Sequence, residues 1–588
     1  MIRAAGAGAA TGILFATLLG IWTARTNSLA SFQDALAVTG WLALAFGGMF
    51  AGAAAAGSCV RARSNVAPVD RGLGASLALF LFVMALRAFE MELAYPKTLP
   101  FVHGFASMLA FALAFAGAAA ALSIALGVAC ARVLHAWRRR GVAWGFRSFV
   151  IAEALLVGAL FISHPRMQSS PKLDANAVNL LASNRPPVRV LLLGCDGADP
   201  EVVDRLLSAG LLPHLQALQE RGVRARLGTI RGRSSPAIWT SIATGVSPGA
   251  HGIEDFYVQR LAGSTAAVAR FPIAYLGLNH GLLLQDLFGD RIVRVTPVTS
   301  TLIRRRPVWD IVAEHGVPCA VVNWLVTWPA PSEGPPIVTE RAYTAAREQG
   351  VAAALADSTL VHPHEIGALF DGALADSAAL SCEDEFMGRI ALRILERTTP
   401  AFLAATFRDV DAEQHLHWNA YEPQYFRRRI ENAIVADGAR IPAAYMRFDR
   451  IAGELIAAAG PEAMVIVVSD HGHGPWFTWL GRGTPGGHTN SPDGIFFAAG
   501  PGIRRGAQTS PDCVDIAPTI LHLFGLPAAR DLEGRVLTEI FEDGAAAPAP
   551  PQIASYETQG GANRAGEVLS STADTEILEK LKTLGYIR

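Results

Sequence analysis

Val188-Arg-Val-Leu-Leu-Leu-Gly-Cys-Asp-Gly197 is a short apolar run that ends on an acid and a glycine. Its apolar residues do not alternate with polar ones, which suits a strand covered on both faces, as in a parallel sheet. Residues 200–221 follow with helical spacing of Val203, Leu206, Leu207, Leu211 and Leu218, so the two segments read as a βα unit with Asp196 at the strand's carboxyl end. Strand-like runs recur at 319–325, 401–407 and 464–469, separated by helical stretches such as 443–459. The expected fold class is therefore α/β, with a mostly parallel sheet flanked by helices and polar groups gathered at the strand ends.

Upstream of this unit the composition changes. The 588 residues are 51% hydrophobic with mean hydropathy +0.30, and the excess lies in Ala/Leu/Phe/Gly runs before residue 165. A membrane-spanning helix needs about 20 apolar residues, and five candidates fall at roughly 5–24, 36–57, 73–93, 104–131 and 147–163. The first also fits a cleaved signal peptide. Arg61, Arg63, Arg71, Arg132, Arg138, Arg139, Arg140 and Arg147 occupy two alternate loops, against Arg25 and Lys97 in the others. By the positive-inside bias the arginine-rich loops are cytoplasmic, and everything after His164 is delivered to the far side. The expectation is a multi-pass protein of the plasma (inner) membrane, partnered by the lipid bilayer, with an extracytoplasmic catalytic domain. Its domains are an all-α transmembrane bundle at 1–165, a linker at 166–187, a catalytic domain at 188–544 with insertions at about 255–400, and a tail at 545–588 holding a short amphipathic helix.

A net charge of -1 without a basic stripe argues against a nucleic-acid polymer as partner. Six scattered cysteines suggest neither a disulfide framework nor a thiolate zinc site. Asp196, Asp411-Ala-Glu-Gln-His415, Asp470-His471 and His488 instead follow the strand-like runs. Three Asp and three His supply the nitrogen and oxygen ligands for two zinc-like divalent ions. Arg233-Ser-Ser-Pro-Ala-Ile-Trp239 reads as a turn entering a helix, where a serine meets the positive end of the helix dipole. An ordinary N-cap serine is the alternative reading.

The ordered set Cys195-Asp-Gly-Ala198, Ser234-Ser-Pro236 with Trp239-Thr-Ser-Ile-Ala-Thr-Gly-Val-Ser-Pro-Gly-Ala-His-Gly-Ile253, Asp411 with His415, Ser469-Asp-His-Gly472 and Gly487-His488 resembles the type I phosphodiesterase/nucleotide pyrophosphatase family of the alkaline phosphatase superfamily. The resemblance covers 188 to about 540 and implies an alkaline-phosphatase-like fold. It implies one zinc held by Asp411, His415 and His488, and a second by Asp196, Asp470, His471 and the nucleophile. It also implies hydrolysis of a phosphate ester through a covalent phosphoserine. Counting back from Gly245 favours Ser235 as nucleophile, whereas the spacing to Pro236 favours Ser234. Nucleotide pyrophosphatases of the family usually carry an Asn shortly after the nucleophile. Here Ala237 and Ile238 stand nearby, and Arg231 or Arg233 is the candidate replacement charge.

The same superfamily includes transferases that modify envelope lipids or glycans, which remain the alternative function. A sulfatase would need an Arg where Ile238 stands, and a non-catalytic membrane scaffold would have lost a ligand or the nucleophile. His473 and His417 read as neighbours of the ligands, and His362, His364, Trp324 and Trp328 as loop or core residues. The organic half of the substrate and the oligomeric state have no signature in the sequence.

Overall fold

A computed structural model describes residues 2–26, 32–59, 67, 70–75, 77–78, 117–118, 120–129, 131–133, 135–136, 188–263, 268, 291–370, 379–426, 437–476, 485–488, 492–542, 552–557, 569–571 and 573–584. The chain divides into two compact units. One contains Met1–Met167, Tyr257–Val295 and Thr478–Gly481, the other Gln168–Phe256, Thr296–Phe477 and Arg482–Arg588.

In the first unit, helices α1 (Ile2–Thr26) and α2 (Phe32–Cys59) pack closely. Gly8 and Gly12, four residues apart, lie against the backbone of Phe50 and Phe46, where a methyl group would collide. Phe15 meets the Phe46 ring edge-on at 5.2 Å. Small residues allow this approach. Among the described residues no helix is long and apolar enough to cross a membrane, so the structure does not support the five expected spans. Ala and Gly dominate α1 and α2, and these side chains bury little apolar surface. The candidate at 147–163 and most of that at 73–93 lie outside the described residues, as does part of 104–131.

The second unit is built on an eight-stranded sheet. Its strands are β1 (Arg189–Cys195), β2 (Val223–Leu227), β3 (Cys319–Val322), β4 (Ile337–Val338), β5 (Val361–His362), β6 (Phe402–Phe407), β7 (Ala463–Val468) and β8 (Gly494–Ala499), in the order β2-β8-β7-β1-β6-β3-β4-β5. The five strands from β7 to β4 are parallel; β8 runs antiparallel to β7 and β2, and β5 to β4. Leu191 and Leu193 enter one core with Phe386, Tyr445 and Phe448, while the alternate residues Val190 and Leu192 are also buried. Both faces of β1 are covered, as its unbroken apolar run implied.

Two expectations need correction. Residues 200–221 form two helices, α3 (Pro200–Ser208) and α4 (Pro213–Arg221), because Gly210 takes φ +69° and Pro213 opens a new first turn. The run at 319–325 is strand only to Val322, since Asn323 and Val326 adopt left-handed φ of 58° and 63°. Those turns put Trp324 in the core, edge-on to Trp239 at 5.0 Å.

The remaining site-forming helices are α5 (Ser235–Thr244), α6 (Glu383–Thr398), α7 (Asp409–Tyr421), α8 (Arg440–Ala459), α9 (Ile516–Leu523) and α10 (Asp574–Thr583). α7 has no side-chain cap of its own. The buried Asp384 of α6 serves instead, accepting the N–H of Arg408 at 2.7 Å and of Asp409 at 3.3 Å. Asp384→Ala should cost about 1–3 kcal/mol of stability. In denaturant melts it should lower the midpoint, and it should loosen metal retention at Asp411 and His415; an unchanged midpoint would refute the capping role.

Candidate functional site

The parallel register aligns the strand ends. Gly194 of β1 pairs with Thr406 of β6 and Val468 of β7, so Asp196, Asp411 and Asp470 emerge at one edge of the sheet. Asp196 and Asp470 stand in the loops just past β1 and β7, whereas Asp411 and His415 are one turn apart on α7. Gly194 must be a glycine, because a Cβ there would lie 2.5 Å from the Trp239 ring beneath α5. Gly197 takes φ +69° with its Cβ direction 2.7 Å from Asp411 Oδ1.

The structure brings all seven sequence-derived site residues to this edge. Ligand atoms of Asp196, Asp470 and His471 lie within 4.8 Å of one another. Asp411 forms two such groups, with His471 and His488 and with His415 and His473. These groups overlap at Asp411 and His471, which stand between the two sets of ligands that the family resemblance implies. The His488 ring stacks on His471 at 3.9 Å, while the His415 ring meets it edge-on at 5.1 Å.

Backbone carbonyls set the imidazole tautomers. His415 Nδ1–H donates to the Gly486 carbonyl at 3.0 Å, and His471 Nδ1–H to the Gly472 carbonyl at 2.9 Å. Both Nε2 lone pairs are left for the centre, 3.6 Å from Asp411 Oδ2 and 3.2 Å from Asp470 Oδ2 respectively. That is how ligating histidines are held. His473 is the opposite case. Its Nδ1 accepts the Gly474 N–H at 3.1 Å, so the neutral ring carries its proton on Nε2, 3.7 Å from Asp411 Oδ1. His473 Nε2 thus faces Asp411 beyond hydrogen-bond distance, and this tautomer leaves no lone pair on that nitrogen. His417 pairs with Glu413 on α7.

A second ring of contacts holds these groups. Tyr445 of α8 donates its hydroxyl to Gln414 Oε1 at 2.9 Å and accepts the Asp199 N–H, while Gln414 Nε2 donates to the Gly197 carbonyl at 2.7 Å. Asp199 caps α3 through Oδ1 and accepts the His473 N–H through Oδ2. None of Asp199, Gln414 and Tyr445 stood out in the sequence. An Asp before a Pro at a helix start was the one readable signal.

Ser235 is the first residue of α5 and 1% exposed. Its Oγ lies 3.0 Å from His471 Nε2. Ser234 is the N-cap by backbone, yet its side chain makes no cap bond, and its buried Oγ has no hydrogen-bond partner among the described residues. The N-cap alternative thus fails for either hydroxyl. Ile238 is buried and apolar, and Arg233 forms an ion pair with Glu254, which neutralises the charge offered as a substitute for the missing Asn. His364 is exposed beside Glu365, and Trp328 carries Arg341 over its ring at 3.8 Å; neither belongs to the cluster.

The donor set fits divalent metal. Asp196 Oδ1 and Asp470 Oδ2 are buried without a hydrogen-bond partner among the described residues. Burial, then the charges of Asp470 and Asp411, pushes the Asp196 carboxyl well above its usual range. Burial likewise pushes Asp470 up to about 7 although it accepts the Gly197 N–H. Desolvation holds His415 and His488 below the ordinary imidazole value, which keeps their lone pairs available. Cations reverse the carboxylate repulsion. A larger cavity of about 1150 Å³, lined by Arg304, Arg306, Pro318 and Pro336, sits at the opposite end of β3 from these groups.

Raised carboxyl groups hold protons at neutral pH and must release them to bind metal. Zinc titrated into stripped protein at pH 7 should therefore release protons, and affinity should rise as pH rises through 7. Calorimetry in two buffers of different ionisation enthalpy measures the release. Asp470→Asn should release fewer protons; equal release would contradict the assignment.

Residues 190–479 match the family model described as type I phosphodiesterase / nucleotide pyrophosphatase. No curated protein matches the chain. Among solved structures, phosphonoacetate hydrolase from Sinorhizobium meliloti 1021 is 21% identical at TM-score 0.31, the alignment covering 49% of this chain and 57% of that one. Murine ectonucleotide pyrophosphatase/phosphodiesterase 5 is 12% identical at TM-score 0.39, covering 60% of this chain and 100% of that one. The catalytic edge described above lies within residues 190–479 apart from His488, and that segment, just under half of the chain, carries the type I phosphodiesterase/nucleotide pyrophosphatase signature of a phosphoester hydrolase.

Proposed function

We propose that this protein hydrolyses a phosphate ester of the phosphodiester or pyrophosphate type through a phosphoserine on Ser235. The observation that carries the reading is the place of Ser235 itself. Its Oγ sits at the positive end of α5, 3.0 Å from His471 Nε2 and among the carboxylates of Asp196 and Asp470. A helix N-terminus favours both an alkoxide and a phosphoryl group.

Two divalent ions of the zinc class, held by Asp196, Asp470, His471 and Ser235 and by Asp411, His415 and His488, would supply Lewis acidity and lower the nucleophile's pKa. Ser235 Oγ forms the bond to phosphorus as the ester P–O bond breaks and the leaving group departs with its electron pair. Its proton passes to the Asp470 carboxylate beside it, since His471 Nε2 is committed to the ion. Water then attacks the phosphoserine, restoring Ser235 and releasing phosphate or a phosphomonoester. Gln414 holds the Gly197 turn, packed against Asp411, still during both steps.

Ser235→Ala should lower turnover of a phosphodiester by about 10³-fold or more. Acid quench should trap phosphate on the peptide containing Ser235. Ser234→Ala should keep most activity, since that hydroxyl caps nothing. An inactive Ser234→Ala protein beside an active Ser235→Ala protein would move the nucleophile by one residue.

The catalytic unit is further proposed to lie outside the cytoplasm, anchored to the inner membrane by the hydrophobic N-terminal part. Support comes from the sequence, in the eight arginines of two loops against Arg25 and Lys97 in the others. A reporter fused after Lys172 should be active only on the far side of the membrane. Cytoplasmic activity of that fusion would end this placement and leave the chemistry of Ser235 untouched.

A further inference from the structure

One cavity opens directly onto the catalytic edge. It measures about 120 Å³ and is lined on one side by Asp196, Pro236 and Asp411, next to the nucleophile. The facing wall is the last helix of the chain, α10, through Ile577, Leu581 and Leu584. The remaining lining is about half apolar, with Glu340, Arg341, Thr344, Arg408 and Lys580 as its polar members. α10 is not loosely laid there. Arg341 Nη1 donates to Asp574 Oδ1 at 2.7 Å, and Lys580 Nζ donates to Glu383 Oε2 at 2.9 Å. Glu383 is buried and also pairs with Arg408, one residue before α7. Leu581 and Leu584 are 7% and 8% exposed, so the helix presents its apolar face inward.

We infer that α10 is the specificity wall of the Ser235 site, and that the pocket takes a short apolar group attached to the scissile phosphate. This rests on the reading of Ser235 as the nucleophile and goes beyond it to the organic half of the substrate. About 120 Å³ of water-accessible space beside the nucleophile is room for an alkyl group, and Ile577, Leu581 and Leu584 set its apolar character. The cations of the lining are held by acids outside it, Arg341 by Asp574, and Lys580 and Arg408 by Glu383, so the apolar side chains of α10 are the part of the wall left to meet a substrate group.

The test uses full-length protein and a series of p-nitrophenyl alkyl phosphodiesters from methyl to octyl, with thymidine 5′-(p-nitrophenyl phosphate) beside them. For the wild type, kcat/KM should rise by about threefold per methylene, as burial of apolar surface predicts, and then fall once the chain outgrows the pocket. The nucleotide ester should be poorer than the best alkyl ester. Leu581→Ala should move the optimum to longer chains, and Leu581→Trp should remove the gain from lengthening. Ile577→Ala repeats the enlargement at a second position in case a Leu581 variant does not fold. Lys582→Ala, on the outer side of α10 and paired with Glu579, should leave the profile in place. A flat series, or variants that leave the optimum where it was, would overturn the wall while phosphodiester hydrolysis stands. A wild type inactive on every ester, methyl included, would overturn the nucleophile reading and the wall with it.

Discussion

The in-register parallel pairing of β1 with β6 and β7 is the constraint on which the rest of the molecule depends. Parallel strands end at one edge, and pairing Gly194 with Thr406 and Val468 brings three separate acids to the same place. A one-residue slip in either ladder would invert the side chains of a strand covered on both faces, which the apolar packing forbids. Hydrophobic burial along the strands is thus what pays for the electrostatic crowding at their tips.

That crowding is severe. Asp196, Asp411 and Asp470 are 4%, 5% and 0% exposed, and burial raises the carboxyls of Asp196 and Asp470. Unpaired charge at such depth is costly, and a bound cation would relieve it. The surrounding contacts serve rigidity. Tyr445, Gln414, Asp199 and His473 link α8, α7, the loop after β1 and the loop after β7. Gln414 fixes the Gly197 turn and Asp199 the His473 backbone, and the tautomer of His473 distinguishes it from His415 and His471.

In the proposed reaction, catalytic chemistry and substrate choice fall on different parts of the chain. Ser235 opens α5 after the edge strand β2, Asp196 and Asp470 stand in the loops after β1 and β7, and Asp411 and His415 lie on α7. The facing wall belongs to α10, more than a hundred residues after Asp470, tied back through Lys580, Glu383 and Arg408. A fold of this kind can keep its reaction while its terminal helix changes what fits. Small shifts in α10 alter pocket volume without touching a ligand.

Several features were legible in the sequence alone because they are local. Unbroken apolar runs marked β1, β6 and β7 as doubly covered strands, and an Asp or Asp-His after each marked the functional edge. Ser235 ahead of a helix was equally local, although one residue of register stayed open against Ser234. Tertiary structure alone decided the His415 tautomer, because it depends on the Gly486 carbonyl 71 residues away. It likewise decided that Asp384 caps α7, that His473 faces Asp411, and that α10 lies across the pocket beside Pro236. The physical reason is sequence separation: periodicity reports which face of an element is apolar, while the partner that covers the face is chosen only when the chain closes on itself.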